Sequence, residues 1–238
     1  MSQTSSLSES DPHYWVPLPF VVSYVERRIP KYGLVLEIGS GINNFERADI
    51  SIDMVYSPNV PKERMILCDV AQEPLPFPDK KFDFVYCRHV LEDMYNPFLV
   101  LREMSRVGKA GYIETPSPLS ELCRGIDVQS FPWRGYNHHR FIIWNARGEL
   151  TFLSKYSVIE YVQLDEPTLV EHLKGQSRYW NTHYLWRDKI RFKHIGDDPD
   201  FKMPDDYSKR LSIACEQSIE ASDLFYNDIE RELSKHVK

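Results

Sequence analysis

The chain has no C-x-x-C pair, since its four cysteines, Cys68, Cys87, Cys123 and Cys215, are scattered. That argues against a zinc knuckle or a disulfide framework and predicts free thiols in a reducing compartment, so a cytoplasmic location is expected. No apolar run approaches the roughly 18 residues of a membrane span. The best stretch, Trp15 to Val25, is interrupted by Pro17 and Pro19. Met1 to Ser6 has neither a basic region nor an apolar one and reads as a loose polar tail, not a signal peptide. A basic excess is missing too: 29 Lys and Arg against 35 Asp and Glu give a net charge of −6, which argues against a nucleic-acid partner. Internal repeats and low-complexity tracts are absent from the sequence.

What is present suits a folded domain with an appendage: 238 residues, 42% hydrophobic and 27% charged. Aromatics make up 13%, enough for some rings to line a pocket or a homodimer contact. Phe20 to Ile29 reads as a short helix stopped by Pro30. Leu34 to Ile38 is a continuous apolar run closed by Gly39-Ser40-Gly41, the pattern of a strand buried on both faces. Shorter runs follow at Ile50 to Ile52, Met65 to Cys68, Phe82 to Cys87 and Gly111 to Glu114. Between the last two, Phe98, Leu101, Met104 and Ser105 recur at helical spacing behind Pro97.

This alternation predicts an α/β fold: a Rossmann-like, mostly parallel sheet with flanking helices, a β-hairpin appendage and a C-terminal helix. Two hairpins are expected, one from Arg140–Trp144 and Glu149–Leu153, the other from Thr182–Trp186 and Lys189–Ile195. A long helix is expected over Asp205 to Lys238, with room for one break, on Tyr207, Leu211, Ala214, Ile219, Leu224, Phe225, Ile229 and Leu233. The expected division is a flexible tail over 1–12, a core over 13–165 with a lid loop at about 115–140, and an appendage over 166–238.

The turn Gly39-Ser40-Gly41 after a buried strand lets backbone approach a ligand closely. A dinucleotide fold would continue to a third glycine and place an acid about 20 residues on. Here Asn44 stands at the third position and Asp53 follows Gly41 too soon, so a nicotinamide cofactor is disfavoured.

The ordered series Val35-Leu36-Glu37-Ile38-Gly39-Ser40-Gly41, Ile52-Asp53, Cys68-Asp69-Val70, Pro74-Leu75-Pro76-Phe77-Pro78-Asp79-Lys80-Lys81-Phe82-Asp83, Arg88 to Asp93 and Glu103 to Val107 resembles the class I S-adenosylmethionine-dependent methyltransferases of small-molecule type. The resemblance covers about Leu34 to Pro118. It implies S-adenosyl-L-methionine as cofactor, with Glu37, Gly39, Ser40 and Gly41 at its methionyl part. It further implies Asp53 and Met54 at the ribose, Asp69 and Val70 at the adenine, and Arg88 with its neighbours Cys87 and His89 beside the sulfonium. No metal is implied. Each acid also has an ordinary role open to it: Asp53 and Asp69 as strand-end caps, Glu37 as partner of a nearby cation. The stretch Ile42 to Ile50 is shorter than the family's usual helix. It motivates a second reading, a noncatalytic binding module on the same fold.

The resemblance implies methyl transfer to oxygen or nitrogen of a small-molecule or saccharide acceptor. A hydroxyl acceptor calls for a base, and the loop Thr115 to Arg140 offers Glu114, Glu121, Asp127 and the pair His138-His139. Histidine titrates near neutrality, so His138 and His139 are the candidate catalytic residues, with simple packing as the rival role. Neighbours in an extended segment face opposite ways, so one of the two is expected to act. The rings of Trp133, Trp144, Tyr179, Trp180, Tyr184 and Trp186 are expected to fill a small β core, or else to stack on a sugar.

Overall fold

The computed structural model describes residues 16–126, 132–163, 173, 176–197, 202 and 205–235. It resolves into two compact units: 16–115 with 183–191, and 116–182 with 192–238. The second unit therefore starts at Pro116, inside what the sequence assigned to a core over 13–165. The expected tail lies outside the described residues, as does Asp127.

In the first unit, apolar runs become strands β1 (Val35–Ile38), β2 (Ile50–Asp53), β3 (Met65–Leu67), β4 (Phe84–Arg88) and β5 (Ala110–Pro116). Strand β8 (Asn181–Arg187) completes a six-stranded sheet of order β3-β2-β1-β4-β5-β8. Pairs β1·β2, β1·β4, β2·β3 and β4·β5 are parallel, in registers such as Leu36↔Ile50 and Leu36↔Val85. Every residue of β1 and β4 is buried, as continuous hydrophobic runs in parallel sheets require. The order reverses between β1 and β4, so a crevice opens at their carboxyl ends, the usual ligand position in such sheets.

Helix α1 (Pro19–Glu26) and helix α2 (Pro97–Val107) both begin at a proline, whose missing N–H costs nothing in a first turn. The buried face of α2 is Val100, Leu101, Met104 and Val107, while Phe98 and Ser105 are only half-buried, a shift of phase from the expected set. The same helix carries a clamp. Glu103 Oε2 accepts from Leu75 N at 2.8 Å and from Arg106 Nη2 at 2.6 Å, and Arg106 also donates to the carbonyls of Leu75 and Phe77. This holds the proline-rich segment 74–79 against the helix.

The second unit holds helix α3 (Pro118–Leu122), strands β6 (Phe141–Asn145) and β7 (Leu150–Ser154), strand β9 (Phe192–His194) and helix α4 (Asp205–Lys235). Strands β6 and β7 form the expected antiparallel hairpin, turning through Arg147 and Gly148 at positive φ. The second expected hairpin does not form: β8 joins the large sheet, whereas β9 pairs in parallel with β7. The turn after β8 is tied down by Lys80 Nζ on Asp188 O and by Asp188 N on Lys109 O, each at 2.7 Å, so the chain does not fold back on β8.

Helix α4 is unbroken, and its buried side is Tyr207, Leu211, Ala214, Ser218, Ser222, Tyr226 and Ile229. Keeping one phase over 31 residues puts Ser218 and Ser222 inside and leaves Leu224 exposed, against the expected apolar set. The aromatic residues do not form one cluster. Trp144 belongs to one core of the second unit and Tyr179 with Trp180 to another. Tyr184 and Trp186 are buried on β8, while Trp133 is exposed.

Candidate cofactor site

The turn after β1 is built by its glycines. Gly39 has φ +75°, and a Cβ there would collide with Val90 Cγ2; Gly41 has φ +45° and open space where a Cβ would sit. Gly39 thus serves close packing, while Gly41 offers a bare backbone surface at the crevice. Glu37 lies buried beneath this turn. Its Oε1 accepts from Phe45 N at 2.6 Å and its Oε2 from Ser51 Oγ at 2.8 Å, so one oxygen braces the loop after the turn and the other holds β2. Burial pushes the Glu37 carboxyl up to about 7, against the pull of those two donors. The loop itself contains no helix. Ser40 is also buried, its hydroxyl directed at Met65 Sδ at 3.7 Å.

Asp53, at the end of β2, accepts from Gly41 N at 3.1 Å and from Met54 N at 2.7 Å. It ties the glycine turn to the second strand while staying half-buried; Val55 N also donates to it at 3.4 Å, which leaves about one of a carboxylate's four or so acceptor sites. Met54 is exposed. Ser57 Oγ donates to Gly41 O at 2.5 Å and Asn59 Nδ2 to Ile42 O at 2.7 Å, holding the far side of the loop. Beside it is a pocket of about 410 Å³ lined by Pro17, Ile42, Asn43, Asn44, Glu46 and Asn59. Asp69 accepts from Ala71 N at 3.1 Å and from the Gln72 amide, as a capping acid does, and Val70 is buried.

At the ends of β4 and β5 lies a buried ionisable network that sequence reasoning identified only in part. Arg88 Nε donates to Glu114 Oε1 at 2.9 Å, and Tyr112 Oη donates to Glu114 Oε2 at 2.5 Å. His183 Nδ1 stands 2.6 Å from Tyr112 Oη. Burial opposes ionisation of Glu114, but Arg88, helped by His89 and His183, outweighs it and holds the carboxyl well below its usual range. Burial, opposed by Glu114, pushes His183 down to about 4, so it is neutral at pH 7. Arg88 is accordingly a buried strut between the two strands.

The next residue, His89, has φ +52°, a left-handed conformation that is uncommon outside glycine and costs energy there. Its Nδ1 lies 3.2 Å from Glu92 Oε1 and its Nε2 3.5 Å from Glu114 Oε1, so the ring is held between two carboxylates at the crevice edge. The spacing His89-x-x-Glu92 was visible in the sequence. Its meaning depended on the backbone turning left-handed directly after β4. His183 could not have been found, being 71 residues from Tyr112.

In the second unit His138 and His139 part company. His139 is buried, with Nδ1 2.5 Å from Glu121 Oε1, and Lys155 Nζ donates to Glu121 Oε2 at 2.6 Å. Burial opposes ionisation of Glu121, yet Lys155 and then His139 bring its carboxyl down to about 2. His138 is exposed in a turn, its ring edge-on to His139 at 4.5 Å. His139 has the Glu121 carboxylate to orient it.

Residues 34–113 match the family model described as methyltransferase domain. The matched segment holds β1 to β4, helix α2 and the glycine turn, about a third of the chain, and over that segment the chain is similar to a methyltransferase domain. An uncharacterised protein of Methanocaldococcus jannaschii is 37% identical over 98 residues, 38% of this chain and 46% of that protein. The chain thus spans under half the length of the curated relative it matches. Among solved structures, a Pyrococcus horikoshii protein is 19% identical at TM-score 0.36, covering 52% of this chain and 66% of its own. A SAM-dependent methyltransferase from Aquifex aeolicus is 18% identical at TM-score 0.33, covering 45% and 69%. Those two similarities are too low to argue from. Among the described residues, no helix is long and apolar enough to cross a membrane.

Proposed function

We propose that this chain binds S-adenosyl-L-methionine in the crevice between β1 and β4 and transfers its methyl group to oxygen or nitrogen of a small-molecule or saccharide acceptor. The observation that carries the reading is the pairing of Gly41 with Asp53: an open, side-chain-free turn whose N–H is held by a strand-end carboxylate that keeps acceptor capacity. Gly41 backbone would lie along the methionyl part, Asp53 would accept the ribose hydroxyls, and Asp69 with Val70 would meet the adenine. Glu37 supports the loop after the turn from beneath and Arg88 joins β4 to β5 through Glu114, both acting by position. The sulfonium of the bound cofactor supplies an electrophilic methyl group. His89 is held at the crevice edge between the Glu92 and Glu114 carboxylates, so it is placed to orient an acceptor.

The test is calorimetry with S-adenosylhomocysteine alongside a tritium-transfer assay over hydroxylated and amine acceptors. Asp53→Ala should cost about 1.5 to 3 kcal/mol of cofactor affinity, as for a hydrogen bond to a charged group. It should also lower apo stability by about 1 kcal/mol, because Gly41 N loses its partner. Unchanged affinity in Asp53→Ala would remove the assignment. Tight binding without transfer to any acceptor would favour the noncatalytic module.

A further inference from the structure

The second unit carries a pocket remote in chemistry from the glycine turn. It has a volume of about 230 Å³ and is lined by Trp144, Thr151, Lys193, His194, Ile195, Arg210, Ile213 and Gln217. Its back wall is a row of register partners across the small sheet: Trp144 pairs with Thr151, and Thr151 with Lys193, so the three side chains share one face. Arg210, Ile213 and Gln217 face it from α4, spaced three and four residues apart on one side of the helix.

Three observations define the ligand. First, among the described residues the charged lining is basic: Lys193 and Arg210 with His194. Lys193 has an ion pair with Glu149 at 3.1 Å, with the lysine exposed and the glutamate half-buried, so that pair is partly screened and costs little to exchange. Second, the Thr151 hydroxyl is buried with no hydrogen-bond partner among the described residues, although the residue is fully enclosed. A buried hydroxyl left unpaired is costly and is a reason to expect an acceptor there. Third, the indole of Trp144 with Ile195 and Ile213 supplies an apolar wall, and Trp144 Nε1 is already spent on Gln217 Oε1 at 2.8 Å, which leaves the Gln217 amide N–H group as a further donor.

We infer that this pocket binds a small organic carboxylate with a flat or branched apolar body. The carboxylate would take Arg210, Lys193 and the Thr151 hydroxyl, and the body would lie on Trp144. Donors at one end and apolar walls at the other are the usual make-up of a small-ligand site. The volume suits a ligand of about ten heavy atoms. The inference does not depend on methyl transfer.

The full chain would be titrated with 4-fluorobenzoate and followed by fluorine NMR, with 4-fluorobenzylamine as the charge-reversed control and S-adenosylhomocysteine as competitor. Saturable binding of the acid in the millimolar range or tighter is expected, at least tenfold better than the amine and unaffected by S-adenosylhomocysteine. Arg210→Gln should weaken it at least tenfold. Thr151→Val, nearly the same shape without the hydroxyl, should weaken it about fivefold while the melting temperature holds or rises. Absence of binding, equal binding of the amine, displacement by S-adenosylhomocysteine, or full affinity in a folded Arg210→Gln would each overturn the inference. Binding of inorganic phosphate, followed by phosphorus NMR, without any binding of the acid would also overturn it, in favour of a plain anion site.

Discussion

Arg88 Nε meets Glu114 Oε1 at 2.9 Å with both side chains buried, joining the carboxyl ends of β4 and β5 beneath the proposed transfer site. Removing one partner strands the other charge in a dry setting, so Arg88→Met should cost about 3 to 5 kcal/mol of stability. Glu114→Gln in the same background should restore part of it. Because the folded-state carboxyl is depressed, its contribution is present above the unfolded value of 4.5 and is lost as pH falls below it. Urea midpoints between pH 3 and 7 would show this, and the Arg88→Met protein should have a shallower acid slope.

Glu37 should act with the opposite sign. Its carboxyl is raised from 4.5 to about 7, so the stability tied to its protonated form is complete below pH 4.5 and declines as pH rises to about 7. The span corresponds to roughly 3 kcal/mol at most. Glu37→Gln, which keeps an acceptor for Phe45 N, should gain relative stability between pH 5 and 8 in urea denaturation. An unchanged pH profile would mean that Glu37 does not hold the proton.

The two glycines of the turn should respond differently to the same change. Gly39→Ala combines left-handed strain with a collision at Val90 and should cost roughly 2 to 5 kcal/mol. Gly41→Ala has strain alone, about 1 to 2 kcal/mol, but its methyl would occupy the ligand side. Thermal melts paired with S-adenosylhomocysteine binding should find Gly39→Ala mainly a stability variant and Gly41→Ala mainly a binding variant.

His138→Ala should leave stability within about 0.5 kcal/mol, as expected of an exposed position. His139→Ala removes one of the two side chains bonded to buried Glu121 and should cost about 1 to 3 kcal/mol. Lys155→Met should cost more, about 3 to 5 kcal/mol, since it leaves the carboxylate facing only an imidazole. If His139→Gln recovers both stability and turnover, the histidine serves structure; recovered stability with turnover still down at least 100-fold would mark a proton acceptor.

Much of the first unit was legible because parallel strands are local, continuous apolar runs. Leu34 to Ile38, Ile50 to Ile52 and Phe82 to Cys87 each became a strand within two residues of the expected bounds. The glycine turn and Asp53 were legible for a related reason, since both sit immediately after such runs. The Glu103 and Arg106 clamp shows why the proline segment and the α2 motif occur together: one side-chain pair binds both. The partner of β9 was not legible, because β8 and β7 are both apolar runs and periodicity does not choose between them.

By itself, the sequence determined the strand and helix types, the glycine turn, the acids that follow β2 and β3, and the class of domain these make. Those features are set by side chains within a few residues of one another. The tertiary structure alone decided that Glu37 is a buried brace and Arg88 a strut to Glu114, that His89 turns left-handed between two carboxylates, and that His139 is buried against Glu121 while His138 is not. It also brought Thr151 and Arg210 into the lining of one pocket. The charge state and role of such groups depend on desolvation and on partners up to 71 residues away, and no local pattern in a sequence encodes either.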